Sequence, residues 1–134
     1  MKLTGAIADI PNKSNTVYPN EVLKKAVEEY NETYSESYLF DQGSETNAVG
    51  KINNVKFENN CVFVDVDFFD SNRGLVCKAL IENGMNLFVS TSGAAKAEKN
   101  EQGQLEIKNL TINRFNVSPT NSFDVKFVED FGEG

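Results

Sequence analysis

Cys61-Val62-Phe63-Val64-Asp65-Val66-Asp67-Phe68-Phe69 puts Val62, Val64, Val66 and Phe68 on one side of an extended chain. Phe63, Asp65 and Asp67 fall on the other side. Side chains alternate across a strand, so this period of two predicts a β-strand with one buried face. Residues 48 to 57 lie just upstream, across Glu58-Asn59-Asn60, and the two segments read as a hairpin. Downstream, Ser71 or Asn72 can cap a helix over residues 72 to 83, with Leu75, Val76, Ala79 and Leu80 as its apolar stripe and Gly84 as its left-handed stop.

Toward the N-terminus, residues 3 to 10 read as a short strand ended by Pro11, followed by a polar loop through Asn12-Lys13-Ser14-Asn15. From Pro19 onward, Val22, Leu23, Ala26, Val27 and Tyr30 recur at helical spacing while Glu21, Lys24, Lys25, Glu28 and Glu29 fill the other face. That is an amphipathic helix over about residues 19 to 33. Tyr38-Leu39-Phe40 leads into a polar loop from Asp41 to Asn47.

After Gly84, Leu87-Phe88-Val89 makes a short strand running into the small residues Ser90-Thr91-Ser92-Gly93-Ala94-Ala95, which allow close approach of backbone or ligand. Lys96 to Gln104 reads as an exposed hairpin loop. Residues 105 to 117 alternate with a phase change near Asn109 that predicts a bulge, and Phe123, Val125 and Phe127 mark a last strand. Two helices among about six strands predict an α+β fold, a mainly antiparallel sheet or closed barrel. A length of 134 residues suits a single domain over 1–134.

Composition narrows the chemistry. Apolar residues at 40% and charged residues at 25%, with ten Phe and four Tyr, describe a chain that folds. The net charge of −7 and the scattering of basic residues among acids argue against nucleic acid as a partner. The first ten residues lack the apolar core of a signal peptide, and no stretch reaches the 18 apolar residues of a membrane span, so a soluble, unexported protein is expected. Cys61 and Cys77 then read as buried thiols rather than a disulfide. With no histidine and two cysteines, no metal or other cofactor is expected.

Two clusters could carry chemistry. Asp65, Asp67 and Asp70 before Ser71 and Asn72 suggest a hard-cation loop, but Phe69 stands where a polar ligand is needed and the pattern's glycine is missing. A solvent-facing strand followed by a helix cap explains them better. Ser90, at a strand end beside small residues, is placed as an exposed nucleophile would be. A serine needs a positioned base, however, and the nearby Lys96 sits in a charged, solvated run that does not suit it to that role, so a turn serine bonded to its own backbone is the simpler expectation.

Three segments together resemble the prohead proteases of tailed phages, which share the fold of the herpesvirus capsid-maturation protease. The first runs from Asn15 through Tyr18-Pro19 to Val27. The second joins Val49-Gly50-Lys51-Ile52 through Asp67 and the second helix to Val89-Ser90-Thr91-Ser92-Gly93. The third is Leu110-Thr111-Ile112 through Val117-Ser118-Pro119-Thr120-Asn121. Order and spacing agree over roughly residues 4 to 125.

The resemblance implies a nucleophile at Ser90. The base, a histidine in the family, would fall on Asp41-Gln42-Gly43-Ser44, where Gln42 is the nearest match. An oxyanion-stabilising arginine is matched by Ser92, and an acidic residue before the closing valine by Phe115 or Asn116. An amide takes up no proton at neutral pH, and losing one member of a catalytic unit removes most of its rate. Ser90 is therefore expected to be a vestige, with the base lost near Gln42 and the oxyanion donor lost at Ser92.

The resemblance further implies a non-enzymatic phage virion protein, an auxiliary or decorating subunit. It would sit in the capsid, and in the host cytoplasm during assembly. Its partners would be capsid or other virion proteins, with no nucleic acid or membrane, and the context allows many copies per particle. Residues 122 to 128 would be a natural contact strand. The alternative is an active prohead serine protease that cleaves capsid and scaffold proteins with Ser90 and an unusual base, Gln42 standing where a histidine would be. A third possibility is a scaffold or inhibitor that leaves on maturation.

Overall fold

The computed structural model describes residues 1–41, 47–85, 87–118 and 131–133. In chain order the elements are β1 (Lys2–Ile7), β2 (Thr16–Val17), α1 (Asn20–Thr33), β3 (Ser37–Asp41), β4 (Ala48–Glu58), β5 (Cys61–Phe68), α2 (Asn72–Glu82), β6 (Phe88–Lys99), β7 (Leu105–Ser118) and β8 (Phe131–Glu133).

The β4–β5 hairpin is present as the alternation requires. Ile52 pairs with Val66, Val55 with Val64 and Phe57 with Val62, so both strands turn their apolar residues to one face. Asn59 and Asn60 make the turn at φ of 51° and 63°, a left-handed pair that matches the twist of the strands and that asparagine tolerates.

Six strands close into a barrel in the order β7-β3-β4-β5-β1-β6 and back to β7. The longer ladders, β3–β4, β4–β5, β1–β5 and β6–β7, are antiparallel. Closure depends on two short parallel pairings, Thr4 with Phe88 between β1 and β6, and Leu39 to Asp41 with Phe115 to Val117 between β3 and β7. β6 and β7 outrun the ring, and their spare edges take β8 at Gly93–Ala95 and β2 at Leu105–Glu106. The expected fold class is thus observed, with two short strands added outside the six-strand ring.

Several boundaries move. The first strand ends at Ile7, because Asp9 adopts φ of 66° and turns the chain. The stretch from Lys96 is strand as far as Lys99, and only Asn100 to Gln104 turn, where the Asn100 side-chain oxygen accepts from the backbone N–H groups of Gln102 and Gln104 at 3.0 and 2.9 Å. The bulge expected near Asn109 is there, opposite Lys96 and Ala97. The strand expected at Phe123 to Phe127 lies outside the described residues.

α1 buries Leu23, Ala26, Val27 and Tyr30, and the Tyr30 ring meets Phe115 edge-on with centroids 4.9 Å apart. Its N-terminus has no cap from Pro19. Instead Asp9 reaches over from the end of β1 and accepts from the Asn20 N–H at 3.0 Å, placing a carboxylate where free N–H groups and the helix dipole favour one.

α2 begins as expected, with the Ser71 hydroxyl accepting from the Gly74 N–H at 3.2 Å, a cap worth about 1 kcal/mol. It ends at Gly84, φ 90°, with Gly84 and Met85 N–H groups bonded to the carbonyls of Ile81 and Leu80. Its buried face is not the expected stripe. Gly74 and Cys77 face the barrel, with Leu80 and Ile81 partly buried, while Leu75, Val76 and Ala79 point to solvent. Gly74 sets this rotation, since a side chain there would lie 2.2 Å from the Phe69 carbonyl oxygen, and only glycine lets the helix approach so closely.

Cys61 and Cys77 are free, buried thiols. Burial pushes both thiols up, aided at Cys77 by the Asp41 carboxylate, and burial likewise raises the Tyr30 phenol. Each group is held neutral more firmly in the folded chain than in the unfolded one. Their contribution is therefore intact below the ordinary values of 9.0 and 10.0 and is lost as pH rises through the higher folded ones. The denaturation midpoint is expected to hold between pH 7 and 8 and fall above about pH 9, and iodoacetamide at pH 8 is expected to label the folded chain far more slowly than the unfolded one.

Candidate functional site

The β6–β7 ladder positions the candidate residues. Val89 pairs with Val117 and Thr91 with Phe115, and all four are buried. Because side chains alternate, Ser90 and Ser92 belong to the opposite face, where Ser90 stands across from Asn116 and Ser92 across from Arg114. The parallel β3 adds Phe40 beside Asn116, and the Arg114 guanidinium lies 5.5 Å from the Phe40 ring centroid.

Ser90 is the third residue of β6 rather than part of a turn, and it is only 5% exposed. Among the described residues no hydrogen bond reaches its hydroxyl. Its neighbour Asn116 is 3% exposed and donates from Nδ2 to Ser92 Oγ at 2.9 Å. The Asn116 Oδ1 is buried and accepts no hydrogen bond among the described residues, a state that costs about 1–3 kcal/mol and is uncommon in folded chains. Of the two candidates for the family's acidic position, Phe115 is fully buried on the core face and Asn116 shares the face of Ser90.

Other ionisable groups are spent elsewhere. Asp41 follows Phe40, so its side chain leaves β3 on the opposite face, and it forms a 2.7 Å ion pair with Arg73 of α2. Lys96 lies further along β6, opposite Asn109 and exposed. Asp65 accepts from the N-terminal ammonium at 3.2 Å and Asp67 from Asn53 Nδ2 at 3.0 Å, both at the surface. Gln42 and its loop, and the segment after Ser118, lie outside the described residues. No three His, Cys, Asp or Glu side chains among the described residues gather as a metal site would require.

The sequence brought Ser90, Ser92 and Asn116 forward, and the register joins them on one face. It missed Arg114 and Phe40. Arg114 could have been found from its spacing of two from Asn116 in a strand, whereas Phe40 arrives through a parallel pairing that leaves no local signal.

Arranged this way, the face offers hydroxyls, an amide and a guanidinium, with no group among the described residues positioned to remove the Ser90 proton. No helix among the described residues is long and apolar enough to cross a membrane.

No protein-family model matches the chain, and no curated protein matches it. Among solved structures, the bacteriophage T4 capsid assembly protease, gp21, superposes with a TM-score of 0.71 over 87% of this chain and 79% of that chain, at 15% identity. The likeness is one of fold, and it agrees with the prohead-protease-like architecture expected from the three segments.

Proposed function

We propose that this chain is a capsid-associated phage protein that keeps a protease-like fold without proteolytic activity. The observation that carries it is the Ser90 hydroxyl, which no base contacts among the described residues, in a chain that has no histidine anywhere. Serine is a weak nucleophile until a neighbour takes its proton, and an amide such as Asn116 or Gln42 does not do so at neutral pH. The hydroxyl of Ser92, at the position of the family's oxyanion donor, already accepts from Asn116. The likeness to a capsid assembly protease supports a place in or on the capsid, with capsid or other virion proteins as partners.

Quantitative mass spectrometry of purified particles tests this. A virion component is expected at a fixed copy number in both immature and mature particles, and absence from mature virions contradicts it. Depletion on maturation would point to an assembly factor that leaves.

A further inference from the structure

We propose that Asn83, where α2 ends on Gly84, is a deamidation site whose reaction waits on the opening of the helix's last turn. The proposal goes beyond the capsid assignment and does not rest on it.

Of the nine glycines in the chain, one follows an asparagine, and it is Gly84. That neighbour matters chemically. The backbone nitrogen after an asparagine can lose its proton to solvent and attack the side-chain Cγ, forming an N–C bond that closes a five-membered imide and expels ammonia. Water then opens the ring at either carbonyl, leaving aspartate or an isoaspartate whose main chain runs through Cγ. One water is consumed, one ammonia is released, and nothing is oxidised or reduced. A side chain on the following residue crowds the attack, and glycine has none.

Asn83 and Gly84 are both exposed, so water and base reach them. The geometry of the helix end holds the reaction back in three ways. The Gly84 N–H donates to the Ile81 carbonyl at 3.0 Å, which keeps its proton in place. Asn83 Nδ2, the nitrogen that would leave, donates to the Ala79 carbonyl at 2.7 Å. With ψ of 14° at Asn83, the Gly84 nitrogen is turned away from the Asn83 side chain, and the ring cannot close until that bond rotates. All three restraints belong to one turn, and all three go when it opens.

That turn is lightly held. Leu80 and Ile81 are only partly buried, Glu82 to Met85 are exposed, and a cavity of about 280 Å³, with Ile81, Met85, Leu3 and Phe88 in its walls, adjoins the helix end. Terminal turns with few buried contacts open at the least cost. Conversion then hinders reclosure. The new carboxylate stands at the negative end of the helix dipole and no longer donates to Ala79, and in isoaspartate an extra main-chain carbon displaces Gly84 and Met85 from the carbonyls of Ile81 and Leu80.

The full chain is held at pH 8 and about 37 °C, folded and in guanidinium chloride, and its peptides are followed by tandem mass spectrometry for a gain of about one mass unit. In the folded chain Asn83 is expected to convert before any other asparagine, yet at least about tenfold more slowly than in the unfolded chain. The ratio of the two rates is expected to match, within about threefold, the open fraction read from hydrogen exchange of the Gly84 and Met85 amides. Ile81→Ala removes packing from the turn and leaves Asn83 and Gly84 in place. It is expected to raise the folded rate about fivefold and to leave the unfolded rate unchanged.

First conversion at another asparagine overturns the proposal. So does a folded rate equal to the unfolded one, or one that departs from the exchange of these two amides in either the wild-type chain or Ile81→Ala.

Discussion

Gly93→Ala is expected to destabilise the fold by on the order of 3 kcal/mol, lowering the melting temperature by roughly 10 °C. A Cβ at position 93 would stand 1.8 Å from the Thr111 carbonyl oxygen and 3.1 Å from the Ile112 Cα. Real contacts of this type do not close below about 3 Å, so backbone must move, and the backbone concerned belongs to β7 across the longest ladder in the barrel. Gly93 also follows the register shift after Ser92 and pairs with Phe131 of β8 on its other side. Relief on one side therefore strains the other. Chemical denaturation of the variant checks this, and a loss below about 1 kcal/mol would mean that β6 and β7 separate more easily than their geometry implies.

Phe115→Ala is expected to cost about 3–5 kcal/mol, a large part of the roughly 5–15 kcal/mol that holds an ordinary domain folded. Its side chain is fully buried, it touches the Tyr30 ring edge-on, and it lies where α1 meets β7. Truncation leaves a cavity that rigid strands on either side, β3 and β6, cannot close, and removes an aromatic pair worth about 1 kcal/mol beyond its buried area. The adjacent Asn116→Ala gives the contrast. It loses one hydrogen bond to Ser92 but also removes the unsatisfied Oδ1, so a change within about 1 kcal/mol of wild type is expected. Paired denaturation curves of the two variants measure the difference between the two faces of β7.

Where local pattern decides structure, the sequence was legible. The alternation in Val62 to Phe68 and the helical spacing from Val22 to Tyr30 each follow from one element burying one face, and both elements stand where that physics puts them. α2 shows the limit. Its ends and caps were readable, but its stripe of Leu75, Val76 and Ala79 faces outward, because the contact of Gly74 with the Phe69 carbonyl fixes the rotation and periodicity carries no record of it. β3 and β2 gave no alternation long enough to read, and the parallel pairings that close the barrel join segments far apart in the chain.

The candidate face was legible in part for a related reason. Small residues from Ser90 to Ala95 announced a close approach, and at Gly93 the approaching group is the backbone of Thr111. That Asn116 stands opposite Ser90 depends on two register shifts in the β6–β7 ladder, after Ser92 and after Lys96, only the second of which left a trace in the pattern near Asn109.

If Ser90 sits in a protease-like fold without a base to activate it, its hydroxyl should be inert, and the reactivity of that one group decides the matter. The chain is incubated with a serine-directed aryl phosphonate across pH 6 to 9 and its intact mass is measured beside that of Ser90→Ala. No adduct is expected in either chain over hours. A single adduct on the wild-type chain, mapped to Ser90 and missing from Ser90→Ala, would contradict this and make the protein an active serine hydrolase.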